Sequence, residues 1–215
     1  FRAVTAGRIG YGKLYRTASP INNEKGRADY ADNLIENAGV ATILNLADSD
    51  EDIEEYLSDA DFCSEYYRAL YEGGKVVAID LTGNFYSDDF AASVAEGLTF
   101  LARNNPPYCI HCTEGKDRAG FTAMLLEALM GATLDEIVCD YMLSFYNYYG
   151  IEKDNDPKRY QAVLDTNLLA MLCHVTGAES IEILGQMNLE AAVTEYLLDA
   201  GMLQDDILLL KEKLG

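Results

Sequence analysis

Tyr108-Cys109-Ile110-His111, with the run that follows it, Cys112-Thr113-Glu114-Gly115-Lys116-Asp117-Arg118-Ala119-Gly120-Phe121, decides how this chain folds. The first four residues read as a short buried strand, set off from what precedes them by the breaker Asn104-Asn105-Pro106-Pro107. From about Arg118 to Met130 the chain is apolar on nearly every side (Phe121, Met124, Leu125, Leu126, Leu129), the pattern of a helix buried all round. Between strand and helix lies a polar, glycine-containing turn.

The same strand-then-helix order recurs upstream. Residues 41–46 read as a buried strand, and Ser49 opens an acidic helix to about residue 60. Residues 76–81 form the next strand, and Ser87-Asp88-Asp89 cap a helix to about residue 103. Residues 14–17 supply a further strand, followed by a helix over about 26–38. Alternation of this kind predicts an α/β fold, a central mostly parallel sheet flanked by helices on both faces. Beyond Gly131 the pattern is wholly helical. Thr133-Leu134-Asp135-Glu136 is a capping-box signal for a helix to about residue 149, and further helices are expected over 157–173, 188–200 and 205–213. Tyr141, Phe145, Tyr146, Tyr148 and Tyr149 make one aromatic-rich face, read as core or pocket wall. Without a repeat, a low-complexity tract or a dividing linker, residues 1–215 read as a single domain.

Composition narrows the partners. The chain has 16 Lys+Arg against 36 Asp+Glu, a formal net charge of −20. Such a chain repels phosphate backbones and anionic lipid at long range, so neither nucleic acid nor a membrane surface is an expected partner. No uninterrupted apolar run approaches the ~20 residues that span a bilayer, so no integral membrane contact is expected. Five cysteines are too few for a disulfide scaffold, and Cys139 and Cys173, inside helix-like apolar patterns, read as small buried hydrophobes. With only two histidines, a zinc site is not expected, and no cofactor is implied.

The turn after His111 carries the chemistry. Backbone N–H groups between a strand end and a helix start can converge on one anion. Cys112 begins this turn, where such a field favours the nucleophilic thiolate. Arg118 arrives after five intervening residues, at the first helical turn, with a planar fork suited to a phosphoryl group. Gly115 and Gly120 permit tight curvature and close packing, and Lys116 adds a second positive charge at the rim.

These residues resemble the H-C-x5-R signature of the cysteine-dependent protein tyrosine phosphatase superfamily. The Gly115-Lys116-Asp117-Arg118 core is most similar to the bacterial tyrosine/dual-specificity and phosphoinositide phosphatases with an H-C-x-x-G-K-D-R-T-G-F loop, from which this chain departs by Ala119 in place of Thr. Residues 14–20 (Leu-Tyr-Arg-Thr-Ala-Ser-Pro) resemble that group's N-terminal Y-R-S segment. Residues 41–46 resemble its I-I-D-L-R strand, with Asn45 and Ala47 as departures, and residues 192–214 its final helical hairpin.

The resemblance implies a phosphomonoester hydrolase that passes through a phosphocysteine at Cys112. Arg118 and the loop residues Thr113, Glu114, Gly115, Lys116 and Asp117 would bind the phosphoryl group, and His111 would support the loop. An Asp general acid is implied too: Asp80, near the end of its strand, or Asp117, inside the loop. A carboxylate beside a phosphate dianion is repelled, so an acid at either position is expected to meet substrate protonated. The family's hydroxyl after the Arg helps the thiolate leave when water breaks the phosphocysteine. Losing one hydrogen bond to a charged group is worth ~1.5–3 kcal/mol, so Ala119 is expected to slow that step by one or two orders of magnitude unless Thr122 or Thr113 substitutes. A low-turnover phosphate-binding module is therefore the alternative from another class.

Expected substrates are a phosphorylated protein, a phosphoinositide or a small phosphate ester. A phytase-like reading would need more basic walls, for which Lys153, Lys158 and Arg159 are the available residues. The compartment stays open. A free thiol suits a reducing interior, several proteins of the group it resembles are exported by bacteria, and an opening residue Phe1 is what a trimmed leader would leave. Oligomeric state is not legible.

Overall fold

The computed structural model of the protein describes residues 1–82 and 84–215. Four parallel strands form the centre: β2 (Leu14–Ala18), β3 (Thr42–Asn45), β4 (Val76–Ala78) and β5 (Tyr108–Cys112), with a short β1 (Arg2–Ala3) added antiparallel on the β2 edge. Their order across the sheet is β1-β2-β5-β3-β4. The α/β sheet expected from the sequence is present, and β1 is an edge strand too short for periodicity to reveal.

Helices cover both faces. α1 (Ala28–Asn37), α2 (Asp50–Ser58) and α3 (Glu65–Glu72) lie on one side, where Ile35, Ile53 and Tyr67 pack with Ile43, Val76 and Cys109. α4 (Asp88–Arg103) and α5 (Arg118–Leu129) lie on the other, in the larger core with Leu14, Leu44 and Ile110. α5 is buried from Ala119 through Leu129, as its unbroken apolar pattern requires. α6 (Leu134–Tyr149), α7 (Pro157–Val163), a π-helical turn (Leu164–Leu169), α8 (Ala170–Thr176), α9 (Ile181–Leu184), α10 (Leu189–Asp199) and α11 (Gln204–Leu214) build the helical second half.

This topology selects the position of the site. The connections β2-α1-β3 and β3-α2-α3-β4 cover one face, and β4-α4-β5 crosses to the other, so β5 enters between β2 and β3. Open α/β sheets leave a crevice outside the carboxyl ends of strands at such a switch point. Cys112 is the last residue of β5 and stands at that crevice.

Local details differ from the sequence reading. The strand expected over 76–81 stops at Ala78, because the chain turns at Asp80, a non-glycine residue with φ of 41°. α3 was unmarked by sequence pattern, since its Tyr-rich run lacks a side-chain cap. Cys139 is exposed and Cys173 only partly buried, correcting the expectation of buried thiols. The helix bearing Cys139 turns that residue into a groove lined also by Asp135, Asp140 and Leu143 rather than into the core.

Candidate active site

The turn from Cys112 to Arg118 wraps back on itself because Gly115 takes a left-handed conformation, φ 69°. A Cβ at this glycine would lie 2.3 Å from the Thr17 carbonyl oxygen, so any side chain would push the turn off β2. At Gly120, one turn into α5, a Cβ would come within 2.9 Å of the Tyr141 ring and 3.1 Å of Arg16 Nη2. Both glycines are required by close approach.

The outward side of the turn is held carbonyl by carbonyl. Thr113 O accepts from Ser19 N at 3.3 Å and Arg27 Nη2 at 3.1 Å. Glu114 O accepts from Tyr148 Oη at 2.5 Å, while Gly115 O and Lys116 O accept from Arg16 Nη2 at 2.9 and 3.1 Å. In a planar trans peptide the C=O of one residue and the N–H of the next point in opposite directions. Fixing these four carbonyls outward therefore aims the amides of Glu114, Gly115, Lys116 and Asp117 into the hollow of the turn. Among the described residues, none of these amides donates to another group. Unpaired, convergent amides at a helix start are suited to an anion.

Arg16 is itself clamped. It is 2% exposed, and its Nη1 donates to Asp140 Oδ2 at 2.7 Å. Arg2 pairs with the same carboxylate. Glu127 lies buried beside this cluster, and burial pushes its carboxyl well above the usual range, with Asp140's charge adding to the effect. Arg16 belongs to the segment that resembles the Y-R-S motif, for which lining the site and a surface charge are equally open from sequence; the structure places it behind the loop as a brace. Tyr148 and Arg27 do similar work, and only the aromatic-rich pattern of α6 had hinted at the first.

Arg118 opens α5 and reaches across the crevice. Its Nη1 donates to Leu46 O at 3.3 Å and Leu81 O at 3.2 Å, and its Nη2 to Thr113 Oγ1 at 2.9 Å. Carbonyls at the ends of two neighbouring segments thus fix the guanidinium plane. Beside it opens a cleft of about 330 Å³ lined by Leu81, Thr82, Phe85, Phe90, Asp117 and Arg118. Phe85 and Phe90 of this lining pack against each other and against Phe121, with ring centroids 4.9 to 5.6 Å apart.

Cys112 is 2% exposed. Cys109 and Cys112 have the spacing of a C-x-x-C pair, but the strand pleat sends Cys109 into the α1–α3 core and Cys112 into the other. Burial pushes the Cys109 thiol up to about 12, which leaves it inert. His111 also faces the α1–α3 side, edge-on to Tyr67 at 5.8 Å, and is fully buried. Burial first, and Arg118's charge second, push it down to about 3, so it is neutral and acts by packing under the strand end.

Of the two acids expected from sequence, Asp117 lines the cleft and Asp80 precedes its lining residue Leu81. Asp80 is exposed, between Ile79 and Leu81, whose amides donate to Asn45 O and Leu46 O. Asp117 is half exposed on the loop, 3.6 Å from Lys116 Nζ. A third carboxylate was missed. Asp48 accepts from Asn45 Nδ2 at 3.0 Å, and burial pushes it up while the charges of Arg118 and Asp80 act on it. Its signal was Asn45, whose Oδ1 accepts from the amides of Ala47 and Asp48 and shapes that turn.

Lys116 is not at the rim. It is 8% exposed, with Nζ 2.9 Å from Tyr149 Oη and 3.2 Å from Glu114 Oε2. Nor does Thr122 offer a free hydroxyl in place of the one Ala119 lacks, since its Oγ1 donates to Arg118 O at 3.0 Å. Thr113 Oγ1 is an acceptor from Arg118 and keeps its own proton to give.

Among the described residues no cluster of three His, Cys, Asp or Glu side chains could hold a metal, and no helix is long and apolar enough to cross a membrane. A family model described as the tyrosine phosphatase family matches residues 1–215. One curated relative, a Cupriavidus necator protein whose name describes a tyrosine-protein phosphatase, is 36% identical over 69 residues, 31% of this chain. The matched stretch spans 23% of that protein's own length.

Proposed function

The chain belongs to the tyrosine phosphatase family, and from that premise we propose that it hydrolyses phosphomonoesters through a phosphocysteine at Cys112. The observation that carries this reading is the turn whose four outward carbonyls are all held, leaving four amides and the Arg118 fork facing one hollow beside the thiol. In this reading Cys112 Sγ attacks phosphorus, the ester oxygen leaves with a proton from an acid, and the amides and Arg118 hold the equatorial oxygens. Water then attacks the phosphocysteine and releases phosphate and the thiolate.

Asp80 is the preferred acid and Asp117 the alternative. Asp80 stands on the backbone segment that also fixes Arg118, whereas Asp117 is drawn toward Lys116. The substrates that suit this site are phosphotyrosine or dual-specificity phosphoproteins and phosphoinositides. No metal takes part in this scheme, since Arg118 and the amides neutralise the phosphoryl charge.

A second reading, a slow-turnover phosphate-binding module, is favoured by one observation: Ala119 is fully buried and Thr122's hydroxyl is committed elsewhere. Rapid mixing with p-nitrophenyl phosphate separates the two. The proposal predicts a burst of about one phenol per site followed by a steady rate that Ala119→Thr raises by roughly tenfold or more, the worth of one hydrogen bond to a charged group. Tight vanadate binding with no phenol release from p-nitrophenyl phosphate, phosphotyrosine peptide, phosphoserine peptide, phosphoinositide or phytate would establish the module instead.

A further inference from the structure

Gly115 turns the backbone so that the next side chain, Lys116, leaves the hollow and enters a cage on α6. Its ammonium lies 5.4 Å from the Phe145 ring centroid, 5.8 Å from that of Tyr148 and 4.9 Å from that of Tyr149. The Tyr149 hydroxyl accepts from it at 2.9 Å. Two loop carboxylates complete the shell, Glu114 at 3.2 Å and Asp117 at 3.6 Å, and Lys25 meets Glu114 from outside at 3.0 Å. These four side chains sum to zero charge (two cations, two anions). An ammonium placed in this way has its donors and its charge already used.

The other cations behind the loop have hydrogen-bond acceptors of their own. Arg16 serves Asp140 and two loop carbonyls, and Arg27 serves Thr113 O and the Tyr148 hydroxyl. A second phosphoryl group arriving beside the first would face Glu114 and Asp117 before it reached Lys116, in a chain whose net charge is already −20.

We infer that Lys116 is a positioning residue that clamps the loop from within, and that the site consequently recognises a single phosphoryl group with no subsite for a second. This rests on the phosphatase reading above and narrows it. Monophosphorylated esters carried on an apolar or aromatic arm, which the Phe85 and Phe90 wall of the cleft can cover, are the substrate class it selects. Polyphosphorylated inositols gain nothing from their additional charges.

The test is equilibrium binding to the Cys112→Ser protein of two probes, inorganic phosphate and myo-inositol hexakisphosphate, repeated in the added background of Lys116→Met and of Tyr149→Phe. A true second ammonium–phosphate contact is worth roughly ten- to hundredfold in affinity. The inference predicts that the hexakisphosphate binds no more than about threefold tighter than phosphate, well below that contact's worth, and that both substitutions weaken the two probes by the same factor. Selective binding of the hexakisphosphate that Lys116→Met removes, with phosphate affinity unchanged, would overturn it; if that variant does not fold, the same selectivity lost in Tyr149→Phe would do so. Turnover of p-nitrophenyl phosphate by the wild-type protein reports separately on the phosphatase reading, and absence of phosphate binding altogether would overturn both.

Discussion

Two stretches border the cleft, and they are held in opposite ways. From Thr113 to Lys116 every carbonyl has a donor from outside the loop: Ser19 after β2 and Arg27 before α1 for Thr113, Tyr148 at the end of α6 for Glu114, and Arg16 for both Gly115 and Lys116. Across the cleft, β4 ends at Ala78 and the chain runs through an exposed Asp80 in a left-handed conformation before Ser87 caps α4. The first stretch is held in place by the fold around it. The second meets the site through Leu81 O, which receives Arg118, and through Thr82 and Phe85, which line the cleft. The difference teaches that, in the proposed reading, the loop that would hold the phosphoryl group is fixed carbonyl by carbonyl, while the preferred acid, Asp80, is exposed on the facing segment.

That contrast can be broken most severely at Arg118. Arg118→Lys keeps the charge but loses the planar fork that spans Leu46 O, Leu81 O and Thr113 Oγ1. Steady-state kinetics on p-nitrophenyl phosphate should show kcat/KM lower by roughly 10²–10³-fold, the usual cost of losing one preorganised donor to developing charge. Near-normal kinetics would mean the guanidinium is not part of the phosphoryl clamp.

Next in size is the outward brace. Tyr148→Phe removes the hydroxyl that holds Glu114 O and accepts from Arg27, so the Gly115 amide is no longer aimed. Phosphate affinity, measured by competition against turnover, should fall by roughly three- to tenfold, the worth of one neutral hydrogen bond. Equal affinity in the variant would show that the amides are aimed by the loop alone. Arg16→Gln should cost more, because two carbonyls and Asp140 lose one partner together.

The Asp80 side is sharpened by leaving-group dependence. If Asp80 is the acid, Asp80→Asn slows esters of poorly leaving alcohols by roughly 10²-fold or more and p-nitrophenyl phosphate much less. The same pattern confined to Asp117→Asn would move the role to the loop, and confined to Asp48→Asn would give it to the carboxylate that sequence reading overlooked.

The smallest effect concerns His111, packed under the loop's first residue. Its folded value of about 3 lies below the ordinary 6.5, so the unfolded chain binds the extra proton between those limits. Stability contributed by neutral His111 is complete above pH 6.5 and is lost as pH falls toward 3. His111→Asn, which cannot titrate, should therefore be less stable than wild type at pH 7.5 by a margin that narrows at pH 5. Thermal unfolding at both values checks this, and a margin independent of pH would contradict neutral burial.

The comparison also marks what the sequence made legible. Cys112, Gly115 and Arg118 were readable because strand, turn and helix are local, and their spacing is itself the geometry. The all-round apolar pattern of α5 likewise announced its burial. The braces were not readable in the same way. Arg16, Arg27 and Tyr148 lie 99, 86 and 34 residues from the carbonyls they hold, and no local period reports a contact of that range. Lys116 differs from its expected place at the rim for a related reason: its flanking carboxylates Glu114 and Asp117 are visible in sequence, whereas the α6 rings that draw its ammonium inward are visible only in three dimensions.

The central claim is that Cys112 carries the phosphoryl group in mid-reaction. Acid-quenching the wild-type protein during turnover of p-nitrophenyl phosphate, then sequencing its peptides by mass spectrometry, tests this most directly. The account predicts one added phosphoryl mass on the peptide containing Cys112, at higher occupancy than after Ala119→Thr, and none in Cys112→Ser, which should also release no phenol. A phosphoryl group on another side chain, or turnover retained in Cys112→Ser, would contradict it.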